Sequence, residues 1–311
     1  MSKPAAWTAD HIPDQTGRTA LVTGANSGLG LATTEQLARR GAHVIMAVRD
    51  EERGRRAAAD LTARHPGASL EVRRLDLADL DSVRAFADAL HADGVAVDIL
   101  VNNAGIMFPP RRLTPQGHEL QFATNHLGHF ALTGLLLDLL RRRPEARVVT
   151  VTSLLHRGGR IRFDDLTGAR RYSPRAFYAQ SKLANVLFGL ELHRRLQAAG
   201  ERIRSLLAHP GYAATNLQTS GPTGLMRAMG RLGNRLLAQD AATGALPQLY
   251  AATDPAAASG QVIGPGGWME LRGHPTVVRP APHATDPDTA RRLWEVSEQL
   301  TGVRFDLPPA P

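Results

Sequence analysis

Tyr178 and Lys182 stand four residues apart in YSPRAFYAQSKLANVLFGLELHRRL, a strongly helical stretch. Residues i and i+4 share a helix face, so the phenol and the ammonium point the same way. A carbonyl that receives a hydride becomes an alkoxide in need of a proton, and a phenol beside a cation can supply one. A free phenol titrates at about 10; a neighbouring ammonium stabilises the phenolate and is expected to lower that value. An ordinary surface pair, with tyrosine half buried and lysine solvated, would show the same spacing. Yet Lys3 and Lys182 are the only lysines in the chain, and one of them falls here. The chemical reading is favoured. Ser153 ends the strand pattern VVTVTS, at the carboxyl edge where open α/β sheets bind ligands. Its hydroxyl could orient a substrate oxygen beside Tyr178. Thr152 competes for that role, and alternation along the strand favours Ser153.

Upstream, a strand pattern runs straight into TGANSGLG and then into a helical pattern. Gly24, Gly28 and Gly30 permit a tight turn and a close approach of the backbone to a pyrophosphate, with Asn26, Ser27 and Leu29 between them. The following helix presents unpaired amides and a partial positive charge to that anion. A glycine-rich string alone often marks only a turn; between the first strand and first helix of a βαβ pattern it predicts dinucleotide binding. An arginine at the end of the second strand would welcome a 2′-phosphate, and an acid there would accept from a free ribose hydroxyl. The second strand pattern ends at Val48, followed by Arg49 and Asp50. Arg49 favours NADP(H). Asp50 keeps NAD(H) open, if the strand ends slightly later.

The elements that must position these groups alternate along the chain. Strands are predicted at 18–23, 42–48, 70–76, 97–103, 146–153, 202–208 and 260–264, and helices near 28–40, 51–64, 79–92, 117–141, 174–199 and 240–253. Strands separated by helices are βαβ units, so the expected fold class is α/β: one doubly wound parallel sheet of Rossmann type with helices on both faces. No repeat or long linker divides residues 1–311, which read as one domain with a core at 17–265. Residues 216–238 carry Leu225, Met229, Leu232 and Leu236 at helical spacing. They read as a lid whose Leu225, Met226 and Met229 face an apolar substrate, or as an interfacial membrane helix. The extension 266–311 is proline-rich from 275, and a helix near 287–301 bearing Leu293, Trp294 and Leu300 should pack on the body.

Composition removes several function classes. No cysteine is present, which excludes disulfides and thiolate sites and fits a reducing cytoplasm. The net charge is +8, but the arginines are scattered and not interleaved with aromatics, so no nucleic-acid partner is expected. The greasiest run, at 132–140, is short and interrupted by Asp138, too little for a membrane span. A soluble cytoplasmic protein is expected. His126 and His129 lack a third ligand and an accompanying acid, so packing or hydrogen bonding is favoured over a metal. No serine sits in G-x-S-x-G, as a serine hydrolase would want.

The glycine spacing is G-x-x-x-G-x-G, and here the chain resembles the short-chain dehydrogenase/reductase family. The resemblance continues in register over residues 17 to 265. Asp76 and Leu77 fall where the family contacts adenine. Asn102, Asn103, Ala104 and Gly105 form its N-N-A-G segment. Asn125, Ser153, Tyr178 and Lys182 match its catalytic tetrad, and His209, Pro210, Gly211 and Thr215 match the turn beside the nicotinamide. The resemblance implies that Lys182 also binds the nicotinamide ribose and that Asn125 holds a water behind Lys182. By residues alone, Asn125 could equally be an interhelical hydrogen-bonding residue. NHLGHF, YxxSKLANVLF and HPGxxxT are most similar to the retinol-dehydrogenase-like branch, which handles bulky apolar carbonyls or alcohols. The resemblance further implies a homodimer or homotetramer through the helices at 117–141 and 174–199. The expected function is a ketoreductase or alcohol dehydrogenase. The rival from another class, an NAD(P)-binding regulator without turnover, would keep the phosphate loop and lose Tyr178 or Lys182.

Overall fold

The computed structural model of the protein describes residues 6–212 and 240–308, so the expected lid at 216–238 and Thr215 lie outside the described residues. One eight-stranded sheet has the order β3-β2-β1-β4-β5-β6-β7-β8. Its strands are β1 (Thr19–Thr23), β2 (His43–Val48), β3 (Ser69–Arg74), β4 (Ile99–Asn102), β5 (Arg147–Val151), β6 (Arg204–Ala208), β7 (Val262–Pro265) and β8 (Pro275–Val278). The first seven are parallel, and the order reverses between β1 and β4, which is where such sheets open a ligand crevice. Strand alternation decides the two cores. Ala20 and Val22 pack on one face with α1 (Gly28–Arg39), α2 (Glu51–Arg64) and a later helix, Ala241–Thr253. Leu21 points to the other face, with α3 (Leu80–Ala92) and the helices of the middle of the chain.

That middle segment departs from the single helix expected over 117–141. It is α4 (Leu120–Phe122), a π turn over Ala123–Leu127, α5 (Gly128–Leu135) and α6 (Leu137–Arg141). Single π turns recur at functional sites, and Asn125 sits in this one. Gly128 follows because a Cβ there would lie 2.4 Å from the Leu77 carbonyl oxygen. The long α7 (Pro174–Ala198) starts where Ser173 accepts from the Ala176 amide and Pro174 takes the first turn. With Ala241–Thr253 as α8, the last helix is α9 (Pro287–Thr301), capped by Asp286 and ended by Gly302 in the left-handed conformation.

One expectation about the tail changes. Prolines do not prevent a strand here: β8 is an edge strand, antiparallel to β7, so the sheet runs past residue 265. The expected tail helix does pack on the body. Residues 177–189 of α7 and 128–133 of α5 are buried within the single chain. Trp294 of α9 and the following Phe305 pack on Phe130 and Phe188, with ring centroids 4.5–6.3 Å apart. Among the described residues no helix is long and apolar enough to cross a membrane.

Candidate active site

The phosphate loop leaves β1 as expected. Gly24 has φ +67° and donates its amide to the Ala47 carbonyl at 2.8 Å. At Gly30 a Cβ would stand 2.3 Å from the Gly24 carbonyl oxygen and 2.6 Å from Asn103 Nδ2, so loop, helix and the segment after β4 close on one another only through glycine. Ser27 is the N-cap of α1, yet its side chain makes no cap hydrogen bond and the first turn holds no acid. The amides of Gly28, Leu29 and Gly30 are thus left to meet an anion, as a coenzyme pyrophosphate requires. Asn26 and Ser27 are half-buried beside them.

Around this loop the end of β4 is fixed by Thr23. Its hydroxyl accepts from the amides of Asn103 and Ala104, each at 2.9 Å, while Asn103 Nδ2 donates to the Thr23 carbonyl at 2.7 Å. Gln248 of α8 reaches across to Thr33 and to Asn103 Oδ1. Asp76 accepts the Ala78 amide on Oδ1, ordering the turn that carries Leu77. Arg49 is exposed directly after β2. Asp50 is occupied as the N-cap of α2, accepting the Arg53 amide at 3.1 Å and pairing with its guanidinium.

At the same edge the four tetrad positions converge. Tyr178 and Lys182 are buried on one face of α7, with Lys182 Nζ 5.8 Å from the Tyr178 ring centroid. Nζ donates to the Val151 carbonyl at 3.2 Å, at the end of β5. Ser153 follows that strand, and its hydroxyl is close enough to the Tyr178 phenol to oppose the effect of burial on it. Thr152 is removed as its competitor, because its hydroxyl donates to the Lys182 carbonyl at 2.7 Å inside the core. Asn125 clamps the loop after β4: Oδ1 accepts the Ile106 amide at 2.8 Å, and Nδ2 donates to the Ile106 carbonyl at 3.0 Å and Ser181 Oγ at 2.9 Å. Gly105 lies beside it, where a Cβ would stand 3.2 Å from Asn125 Oδ1.

The electrostatics differ in one respect from the expectation. Burial pushes the Tyr178 phenol up to about 12, the Ser153 hydroxyl being the opposing influence, and burial brings Lys182 down to about 8. Desolvation of the phenolate sets the direction, and the expected lowering by Lys182 is not among the influences on it. The resting tyrosine is therefore a proton donor at neutral pH. His129 and His126 are held neutral by burial, near about 4 and about 3; one meets Thr23 Oγ1 and the other Ser297 Oγ, each at 2.9 Å.

Residues that motif reading missed complete the site. Phe108 has φ +60°, a strained conformation for a large side chain. Its amide is held by Gln121 Oε1 at 2.9 Å, and its ring meets the Tyr178 ring edge-on at 5.3 Å. Nothing in its sequence neighbourhood signals this. Pro210 and Gly211 form the turn after β6, with Gly211 at φ +65°.

This arrangement agrees with the comparisons. The family profile described as short chain dehydrogenase matches residues 18–224. Retinol dehydrogenase 13 of Homo sapiens is 42% identical over 293 residues, covering 92% of this chain and 85% of that protein. Polyprenol dehydrogenase of Mus musculus is 41% identical over 296 residues, covering 94% and 86%. Among solved structures, an uncharacterized protein from Mycobacterium paratuberculosis shares 46% identity at a TM-score of 0.81, covering 97% of this chain and 100% of that one. A structure described as an NAD(P)-dependent gluconate 5-dehydrogenase from Beutenbergia cavernae, with NADP bound at low occupancy, shares 28% identity at a TM-score of 0.62, covering 79% and 94%. This chain belongs to the short-chain dehydrogenase/reductase family, in its retinol-dehydrogenase-like branch, and is an NAD(P)-dependent oxidoreductase acting on CH–OH and carbonyl groups.

Proposed function

We propose that the protein interconverts a carbonyl and an alcohol on an apolar small molecule, using NADP(H) and Tyr178 as acid/base. The observation that carries this reading is the buried Tyr178 hydroxyl, beside Lys182 and close to Ser153 at the carboxyl edge of the sheet. The bound coenzyme supplies or accepts the hydride; the chain holds the oxygen and moves the proton. Ser153 Oγ orients the substrate oxygen. Tyr178 Oη donates its proton as that oxygen becomes an alkoxide, which is more basic than even a raised phenol. Lys182, next to the developing phenolate, offsets its charge at the moment it forms. Asn125 keeps the Ile106 loop in place.

The amides of Gly28, Leu29 and Gly30 would hold the pyrophosphate, with Asp76, Leu77, Asn103, Ala104, Gly105, Pro210 and Gly211 along the rest of the coenzyme. The preference for NADP(H) is supported by Arg49, exposed at the end of β2, while Asp50 is engaged in capping α2. An apolar substrate is supported by the half-buried Met107 and Phe108 near Tyr178, and by Leu154 and Leu155 after Ser153. The relatives' names, retinol and polyprenol dehydrogenase, are those of apolar alcohols. The test is steady-state reduction of an aldehyde and ketone panel, with NADPH and NADH in parallel. Tyr178→Phe should lose turnover by about a thousandfold or more while binding NADPH normally. Near-normal turnover in that variant would remove the acid/base assignment, and a clear preference for NADH would remove the coenzyme assignment.

A further inference from the structure

The connection between β7 and β8 carries two consecutive non-glycine residues in the left-handed region, Met269 (φ 50°) and Glu270 (φ 57°). Such conformations persist only where the surroundings over-determine them, and they gather at functional sites. Apolar burial does not hold this turn, since Trp268 and Met269 are 79% and 66% exposed. Its own main-chain bonds, Gly266 to His274 at 2.8 Å and Gly267 to Arg272 at 2.9 Å, close the hairpin without fastening it to the body. Several links do fasten it. His274 Nδ1 meets the Trp7 carbonyl at 3.0 Å. The Tyr212 amide donates to the Leu271 carbonyl at 3.0 Å. The Glu270 carboxylate makes another, and its two oxygens go to different segments.

Glu270 Oε1 accepts from Arg157 Nη2 at 2.6 Å, and Oε2 meets His209 Nε2 at 3.0 Å. Charge-assisted bonds of this kind are the shorter and stronger class. Arg157 belongs to the short helical turn Leu154–Gly158, whose N-cap is Ser153. His209 follows β6, and its Nδ1 accepts the Gly211 amide at 3.2 Å. Because β5 and β6 are paired up to Val151 and Ala208, these segments are adjacent walls of one crevice. The buried His209 ring packs directly on Gly264, where a Cβ would stand 2.2 Å from its Nε2. The His209 bond, and after it Arg157, hold the Glu270 carboxyl below the usual carboxylate range, so the bridge is ionised at neutral pH.

We propose that Glu270 is a positioning residue that sets the separation of these two walls, and with it the fit of the coenzyme and the reacting carbonyl against Tyr178. This rests on the reading of the crevice as coenzyme site with Tyr178 as its acid/base. The test uses the full chain, with NADPH fluorescence titration beside steady-state kinetics for Glu270→Ala, Glu270→Gln, Arg157→Ala and the Glu270→Ala/Arg157→Ala double variant. Glu270→Ala should weaken NADPH binding about tenfold and raise the carbonyl KM more than it lowers kcat. Glu270→Gln can accept from Arg157 or from His209 Nε2–H through its one carbonyl oxygen but not from both, since its NH2 cannot accept, and should recover only part of that loss. The double variant should be little worse than Glu270→Ala, since both remove one bridge.

Wild-type affinity and KM in Glu270→Ala and Arg157→Ala would overturn the proposal. So would a glutamine variant no better than alanine, or losses that simply add. Should Glu270→Ala fail to fold, Arg157→Ala reads the same bridge from its exposed end. The titration needs no turnover, so a fully active Tyr178→Phe would sink the acid/base reading while leaving the Glu270 result to be judged separately.

Discussion

The phosphate loop and the carboxyl-terminal region serve the same crevice by opposite means. Between Thr23 and Gly30 the chain itself is the site: the main chain provides the donors, and at Gly24 and Gly30 there is no room for a side chain. From Val262 to Leu307 the chain contributes none of the tetrad groups, yet it holds parts that do. Glu270 reaches partners 61 and 113 residues away, and Trp294 packs with Phe130, Phe188 and Phe305. One region recognises, the other supports. A constraint carried within eight consecutive residues leaves a pattern in sequence. A constraint carried across a hundred leaves an ordinary-looking acid or aromatic.

The largest expected effect tests the supporting half. Trp294 is 2% exposed, and Arg195 lies over its ring at 4.4 Å. Trp294→Ala should lower unfolding free energy by about 3–5 kcal/mol, read from urea denaturation. The fraction that remains folded should bind NADPH with nearly unchanged affinity, because no part of α9 belongs to the phosphate loop. Equal damage to affinity and stability would break the division between the two regions.

A smaller and opposite effect is expected in the recognising half. In Gly30→Ala the new methyl meets the Gly24 carbonyl and Asn103 Nδ2, an overpacking that costs about 1–3 kcal/mol. If the loop yields by opening, that cost appears in coenzyme affinity as a loss of about tenfold to a hundredfold, with only a modest shift in denaturation midpoint. Isothermal titration with NADPH checks the first and thermal melting the second. A variant that melts far lower but binds normally would show the strain to be absorbed in the core instead.

The contrast also explains what sequence reading reaches. Seven strand patterns correspond to β1–β7, and alternation and the family resemblance together favour Ser153 over Thr152, whose hydroxyl turns inward to Lys182. β8 escapes notice because PTVV begins at a proline and lies in a proline-rich tail, where an edge strand can tolerate what a central one cannot. The π turn around Asn125 has no sequence signature, because its cause is the meeting of that side chain with Ile106 and Ser181. Phe108 and Glu270 are invisible for the same reason. The sign of the Tyr178 shift fails differently: spacing locates Lys182 correctly, but the depth of burial that raises the phenol is a property of the folded chain.

That burial makes Lys182 a source of instability, and pH can expose it. Lys182 is brought from 10.5 down to about 8 by desolvation. Below that pH both folded and unfolded chains carry the proton, so the native state bears the full cost of a buried ammonium. As pH rises from about 8 towards 10.5 the native chain releases its proton first, and stability climbs. Tyr178, pushed up to about 12, keeps its proton in both states below about 10 and adds no slope there. Lys182→Met should therefore be more stable than the wild type at pH 7 in urea denaturation. The gap should narrow steadily from pH 8 to 10. Parallel curves would mean that the ammonium is not desolvated.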